Sequence, residues 1–234
     1  MKQSKLDGLL EFDLFALEYG HAPLPQNMIQ LSFFAKRFEW IIGVDEVGRG
    51  CLAGPVMASA VSFNLKELTD FDREQLYELD DSKKLSEKQR LRLSGSIRNA
   101  AQFAIGHVSN EEIDRFNILN ASMLAMEKSV HRLISKMESS GIEKDKILVL
   151  VDGKQPLPQL KVSQIAVSKG DLKSASIASA SILAKVTRDK LMLRYNKRYP
   201  HYFWSRNKGY PSRLHVEALN KLGPSPMHRL SFSW

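Results

Sequence analysis

Trp40 to Phe63 read WIIGVDEVGRGCLAGPVMASAVSF. Two apolar runs, Trp40 to Val44 and Val56 to Phe63, flank the turn pair Gly54 and Pro55, so the stretch reads as a β-hairpin. The first run stops on two carboxylates, Asp45 and Glu46, followed by Gly48, Arg49 and Gly50. An apolar strand that ends abruptly in charge places that charge at the rim of a sheet, where ligands gather in α/β proteins.

Further strands follow on the same criterion. Gln102 to Val108 is a third strand, Ile147 to Val151 (ILVLV) a fourth, apolar enough to be buried on both faces, and Val162 to Val167 a fifth. Between the third and fourth, Asn120 to Met137 sets Leu124, Lys128, His131 and Ile134 along one helical row, with Met123, Met126, Val130, Leu133 and Met137 beside it. After the fifth, Ser174 can cap a helix that Pro200 would stop, and its first half (SASIASASILAK) is small enough for close backbone approach. The expectation is an α/β fold, a mixed five-stranded sheet flanked by helices, with a helical C-terminal segment. Residues 1–38 show only a short helical pattern around Leu9 to Leu17 and are set apart as an extension of unknown role. The remaining 39–234 would be one domain, its core at 39–199 and a C-terminal segment at 200–234.

The chain has 234 residues, with 34 Lys plus Arg, 26 Asp plus Glu and a net charge of +8. Residues 1–40 carry −1, 41–160 carry −2 and 161–234 carry +11, so all of the basic excess lies in the last third. One end of the fold would then face a polyanion while the rest is a neutral scaffold; a solvated helix face is the plainer alternative. The single cysteine, Cys51, excludes an intramolecular disulfide and a cysteine metal cluster. Asp7, Glu11, Asp13 and Glu18 interrupt the N-terminal apolar residues, and no run approaches the roughly 18 apolar residues of a membrane span. A cytoplasmic location and no membrane partner are expected.

Four carboxylates stand at unusual places: Asp45 and Glu46 at the first strand end, Asp152 at the fourth, and Asp171 just before the small-residue helix. Each is expensive to bury unpaired, and an all-oxygen set suits Mg²⁺ or Mn²⁺. Taken singly, Asp152 before Gly153 and Asp171 after Gly170 read equally well as turn or cap residues. Successive residues on a flat strand face opposite ways, so Asp45 and Glu46 can share a site only if the strand ends or twists there. Gly48 and Gly50 would permit that, with the fork of Arg49 between them.

These residues belong to a series of blocks: VDEVGRG (44–50), LAGPV (52–56), DSKKLS (81–86), VDG (151–153), KGD (169–171), SILAKVTRD (181–189), NKGYPS (207–212) and HRLSF (228–232). In this order they resemble the type 2 ribonucleases H, specifically bacterial ribonuclease HII. The resemblance covers about Trp40 to Phe232 and leaves residues 1–38 outside. It implies an RNase H-like fold and a nuclease that cuts the RNA strand of an RNA/DNA hybrid, or 5′ to a ribonucleotide embedded in duplex DNA, leaving 3′-hydroxyl and 5′-phosphate ends. It also implies that Asp45, Glu46, Asp152 and Asp171 are catalytic and bind two divalent ions, Mn²⁺ or Mg²⁺, about 4 Å apart.

Substrate contacts are implied in the same way. The backbone of Gly48, Arg49 and Gly50 would bind the 2′-hydroxyl, the ring of Tyr210 would pack on the next deoxyribose, and Lys83 and Lys84 would meet phosphates. Lys185 and Arg188, with Arg194 and Lys197 at helical spacing, would share a backbone-facing surface. Without the resemblance, Tyr210 reads as a turn aromatic, Lys83 and Lys84 as partners of Asp80 and Asp81, and the aromatics of Tyr199 to Arg213 equally as a small subcore. Cys51 stands where the family commonly has proline and reads as a small buried hydrophobe. The six histidines lack metal-ligand spacing and read as structural or phosphate-facing. A monomer is expected. Ribonuclease HIII is disfavoured because that class lacks the Gly-Arg-Gly turn, and a non-catalytic duplex binder because all four acidic residues are present.

Overall fold

The computed structural model describes residues 4–21 and 38–234. The β-hairpin of β1 (Trp40–Val47) and β2 (Val56–Phe63) is the centre of a five-stranded sheet. β3 (Ala101–Val108) adds antiparallel to β2, while β4 (Ile147–Asp152) and β5 (Ser163–Val167) run parallel to β1, in the order β3-β2-β1-β4-β5. The mixed sheet read from the sequence is therefore present, with each strand within a few residues of its expected limits.

Strand alternation assigns the two faces. Ile42, Val44, Val149 and Val151 point to one side, where α5 (Ile118–Ser139) lays down Ala125, Val130, Leu133 and Met137. Ile41, Leu148 and Leu150 point to the other, under α6 (Ala175–Arg198). On that second face α3 (Glu87–Ala100) and α1 (Lys5–Tyr19) join the layer, contributing Leu93, Ile97, Leu6, Leu9 and Leu10 to a cluster with Val61 and Leu183. Two short helices, α2 (Asp70–Leu76) and α4 (Asn110–Phe116), complete the connections, each opened by a reciprocal capping box.

The small residues of α6 do what their size allows. Every residue from Ala175 to Ala184 is buried, and the helix backbone rests directly on β1 at Gly43. A methyl group at Gly43 would lie 2.2 Å from the Ser176 carbonyl carbon, so only glycine admits this approach. Beyond α6, α7 (Trp204–Asn207) and α8 (Arg213–Leu222) enclose a separate small core of Leu52, Ala53, Met192, Tyr202, Trp204, Ala218 and Leu219. The subcore reading thus holds for Tyr202 and Trp204, whereas Phe203 and Tyr210 are exposed. No helix among the described residues is long and apolar enough to cross a membrane.

Candidate active site

The first strand does not end at its carboxylates. β1 continues to Val47, and Asp45 and Glu46 remain paired with Ser59 and Ala58 of β2. What stops is the ladder on the other side: the β1–β4 pairing closes at Val44 opposite Val151. Of the two expected alternatives, an ending or a twist, the ending is therefore corrected: the strand runs on through both carboxylates. Losing one neighbour opens the edge of β1 where Asp45 and Glu46 emerge, and Asp152, the last residue of β4 and still paired with Val167 of β5, stands at the same level.

Alternation puts Asp45 on the α6 face, with Gly43 and Ile41. There its Oδ1 accepts the Glu46 N–H at 2.7 Å, and the Ser181 hydroxyl of α6 lies beside the same carboxylate and favours its charged form. Ser181 is held in turn by the Ser82 hydroxyl at 2.9 Å, which ties the 81–86 loop to the centre. Asp152 reaches across to the next loop, its Oδ1 accepting the Gly170 N–H at 2.7 Å. That bond fixes the short helical turn Gly170–Leu172 that carries Asp171.

The carboxylates sense one another. Burial pushes Asp45 well above the usual carboxylate range, and the charges of Glu46 and Asp152 add to the push. Asp152 is raised by burial and by Glu46, against the opposing Gly170 N–H and the cation of Lys83. Asp171 is raised by burial, then by Asp152 and Asp81, again opposed by Lys83. Among the described residues no three His, Cys, Asp or Glu side chains converge as a closed metal cage would. The donor set nonetheless fits a hard divalent cation: it is all carboxylate oxygen, raised by burial and mutual repulsion that a cation would relieve. Glu46 meanwhile takes the Arg49 guanidinium at 3.2 Å.

The Gly-Arg-Gly turn is gripped from beneath by Arg229, which is fully buried. Its guanidinium donates to the carbonyls of Gly48 at 2.7 Å, Arg49 at 2.8 Å and Gly54 at 3.0 Å. In a trans peptide the N–H points opposite to the C=O. Drawing the Gly48 and Arg49 carbonyls inward therefore turns the N–H groups of Arg49 and Gly50 away from Arg229, as a pair of donors. Gly48 has φ +95°, and a side chain there would collide with Arg188, its Cβ 2.3 Å from Nε. Cys51 is buried beside this turn; its N–H reaches the Gly48 carbonyl at 3.4 Å, and burial pushes its thiol pKa up.

Arg188 is a correction. Expected to meet substrate phosphate, it is fully buried and donates to the carbonyls of Ala53 (2.9 Å), Pro55 (3.0 Å) and Lys208 (2.8 Å). It is a second clamp, joining the 48–55 loop to the 207–210 turn. Lys185 is half-buried, paired with Asp189 at 2.7 Å, and lies 5.7 Å from the Tyr210 ring centroid. Lys83 and Lys84 are exposed, and only Lys83 acts on the central carboxylates. Tyr210 is 39% exposed beside the turn. Burial, then its neighbour Cys51, pushes its hydroxyl up to about 12, so it is neutral.

Sequence alone gives no individual role to Arg229, Ser181 or Ser82, although each stands in one of the quoted blocks (228–232, 181–189 and 81–86). Their roles come from contacts between distant segments, as do those of Asp81, expected only as an ion-pair partner of the neighbouring lysines, and of His215 and His228, which fall under the structural reading of the histidines.

Comparison with known proteins follows the same lines. The family model for ribonuclease HII matches residues 42–234. A ribonuclease HII of Acaryochloris marina is 49% identical over 198 residues, 83% of this chain and 93% of that protein. One from Borrelia hermsii is 47% identical over 195 residues, 83% of this chain and 99% of its own. Among solved structures, the PCNA:RNase HII complex of Archaeoglobus fulgidus aligns with TM-score 0.63 at 23% identity, covering 83% of this chain and 95% of that one. A Bst-RNase HIII in complex with Mn²⁺ aligns with TM-score 0.67 at 17% identity, over 91% and 74%; these two likenesses concern the fold.

Proposed function

The chain belongs to the ribonuclease HII family, and from that premise we propose how its residues divide the work of a metal-dependent ribonuclease H. The observation that carries the reading is the shared field of Asp45, Glu46, Asp152 and Asp171 beside the outward N–H groups of Arg49 and Gly50. The four carboxylates would hold two divalent ions, Mn²⁺ or Mg²⁺, which when bound supply an activated water and stabilise the leaving 3′ oxygen. Glu46 is free to take part once Arg49 is released from it.

The rest is recognition. The Arg49 and Gly50 N–H groups donate to the 2′-hydroxyl, the feature that distinguishes RNA from DNA at one nucleotide. The Tyr210 ring packs on the following deoxyribose, so a second ribose is disfavoured and the cut falls 5′ to the ribonucleotide. Lys83, Lys84 and Lys185 contact phosphates, and Lys83 also balances the acidic cluster. The substrates are RNA/DNA hybrids and duplex DNA with an embedded ribonucleotide. The protein acts as a cytoplasmic monomer, with 39–234 as the nuclease and 200–234 as its substrate-binding segment.

The deciding experiment is a gel assay on labelled duplex DNA containing one ribonucleotide, with Mn²⁺, Mg²⁺ or EDTA and an all-DNA control. A metal-dependent cut 5′ to the ribonucleotide, leaving 3′-hydroxyl and 5′-phosphate, is expected. Binding without cutting, by folded protein with metal present, would replace the nuclease by a duplex-binding protein.

A further inference from the structure

Helix α1 lies outside the matched region yet is built into the floor of the proposed centre. Asp13 of α1 is fully buried, and its Oδ2 accepts both the backbone N–H (2.9 Å) and the hydroxyl (2.7 Å) of Ser176. The Ser174 hydroxyl lies near the same carboxylate and favours its charged form, while Oδ1 has no hydrogen-bond partner. Holding a carboxylate in the interior with one oxygen unsatisfied costs free energy that an apolar residue would not. Packing alone therefore does not account for Asp13.

Its contacts do. Ser174 and Ser176 begin α6 directly after Asp171, and the Ser174 N–H donates to Gly170 at 2.8 Å. The turn bearing Asp171 is thus held on one side by Asp152, through the Gly170 N–H, and on the other by the α6 end that Asp13 fixes. The same Ser176 rests on Gly43, two residues before Asp45. At the other end of α1, Lys5 pairs with Asp80, whose carboxylate accepts the Asp81 N–H at 2.6 Å; Asp81 accepts the Lys83 N–H at 2.9 Å. One helix therefore touches both the segment carrying Asp171 and the loop carrying Lys83.

We propose that α1 is a positioning element of the metal centre, with Asp13 as the residue that sets Asp171 against Asp45 and Asp152. The proposal rests on the reading of those carboxylates as metal ligands.

The test uses the full chain with Asp13→Ala and Asp13→Asn, reading Mn²⁺ binding by calorimetry alongside kcat and KM on the single-ribonucleotide duplex. Removing a residue that orients metal ligands typically costs roughly 10-fold or more in metal affinity or activity. Asp13→Ala should therefore weaken Mn²⁺ binding and lower kcat by about that factor with KM for the duplex unchanged. Asp13→Asn, which keeps the accepting oxygen, should restore both. Should Asp13→Ala fail to fold, Ser176→Ala is read the same way, with a smaller loss of Mn²⁺ affinity expected. A variant that melts earlier but binds Mn²⁺ and turns over like the parent makes α1 a packing helix and overturns the proposal. If the parent itself binds no Mn²⁺, or binds it unchanged after Asp45→Asn, the underlying site assignment fails instead.

Discussion

The Nε2 atoms of His215 and His228 lie 3.0 Å apart, and the proton between them belongs to His228. The Ser225 N–H donates to His228 Nδ1 at 2.8 Å, which leaves the hydrogen on Nε2. Trp204 Nε1–H donates to His215 Nε2 at 3.0 Å, so that nitrogen accepts, and His215 Nδ1–H is left to donate to the Tyr210 carbonyl at 2.9 Å. Two neutral imidazoles thus carry a hydrogen-bond chain from Ser225 to Tyr210.

This chain predicts an acid limit. Burial, then His215, lowers His228 to about 4, and burial lowers His215. Between that value and the ordinary 6.5 the unfolded chain binds more protons than the native one, so these histidines stabilise the fold near neutrality and the benefit is lost as pH falls. Urea midpoints measured from pH 7 to pH 4.5 should fall more steeply for the parent than for His228→Gln. Parallel slopes would show that His228 binds its proton as readily in the native state as in the unfolded chain.

Asp45→Asn should end cleavage and strengthen the metal-free fold. The raised pKa of Asp45 means that its ionised form costs the native state free energy at neutral pH. Neutralising it should add about 1 kcal/mol in denaturant unfolding without metal. Mn²⁺ should then raise the melting temperature of the parent and not of the variant. Retained turnover would remove Asp45 from the centre.

The same carboxylates make metal loading a competition with protons. Because Asp45 sits well above the ordinary carboxylate range and Asp152 and Asp171 are raised in the same direction, the Mn²⁺ concentration for half-maximal activity should rise as pH is lowered. A midpoint independent of pH would mean that the carboxylates are already fully ionised.

Tyr210→Ala should lower cleavage at a single embedded ribonucleotide by about 10-fold or more, the scale of one stacked base, while duplex affinity changes little. Tyr210→Phe should keep most activity, since the neutral hydroxyl faces Cys51. Equal losses in cleavage and affinity would make Tyr210 a general binding residue.

Arg229→Met removes three donors from buried carbonyls and should cost about 3 kcal/mol of stability. In the folded fraction, discrimination between ribose and deoxyribose should fall further than affinity for all-DNA duplex, measured by competition binding. Unchanged discrimination would show that the turn keeps its shape unaided.

The sheet was legible because its strands are short and apolar, and the central carboxylates because they interrupt such runs. The continuation of β1 through Glu46 was not, since the break lies in the pairing with β4, which no local pattern records. Arg188 misled for a related reason. Helical spacing places it with Lys185 and Arg194, but the 48–55 loop and Lys208 arrive from elsewhere in the chain to cover it. In α1 the acidic residues look alike in sequence, yet Asp13 is buried whereas Glu11 and Glu18 are exposed. The helix also runs from Lys5 to Tyr19, longer than its apolar pattern, because the Ser4–Asp7 capping box and left-handed Gly20 set its ends. Phe203 and Trp204 part company because Phe203 adopts φ 57° as the chain turns into α7.

The grip of Arg229 on Gly48 and Arg49 spans 181 and 180 residues of chain. On a ribosome the loop proposed to read ribose is therefore complete in sequence long before its holder is made, an interval of roughly ten to forty seconds at about 5–20 residues per second. During that interval the nascent protein has Asp45 and Glu46 but no fixed pair of amides beside them. On the proposed reading, recognition of the target would then wait until the guanidinium docks, and the order of translation would set the order in which the parts begin to work.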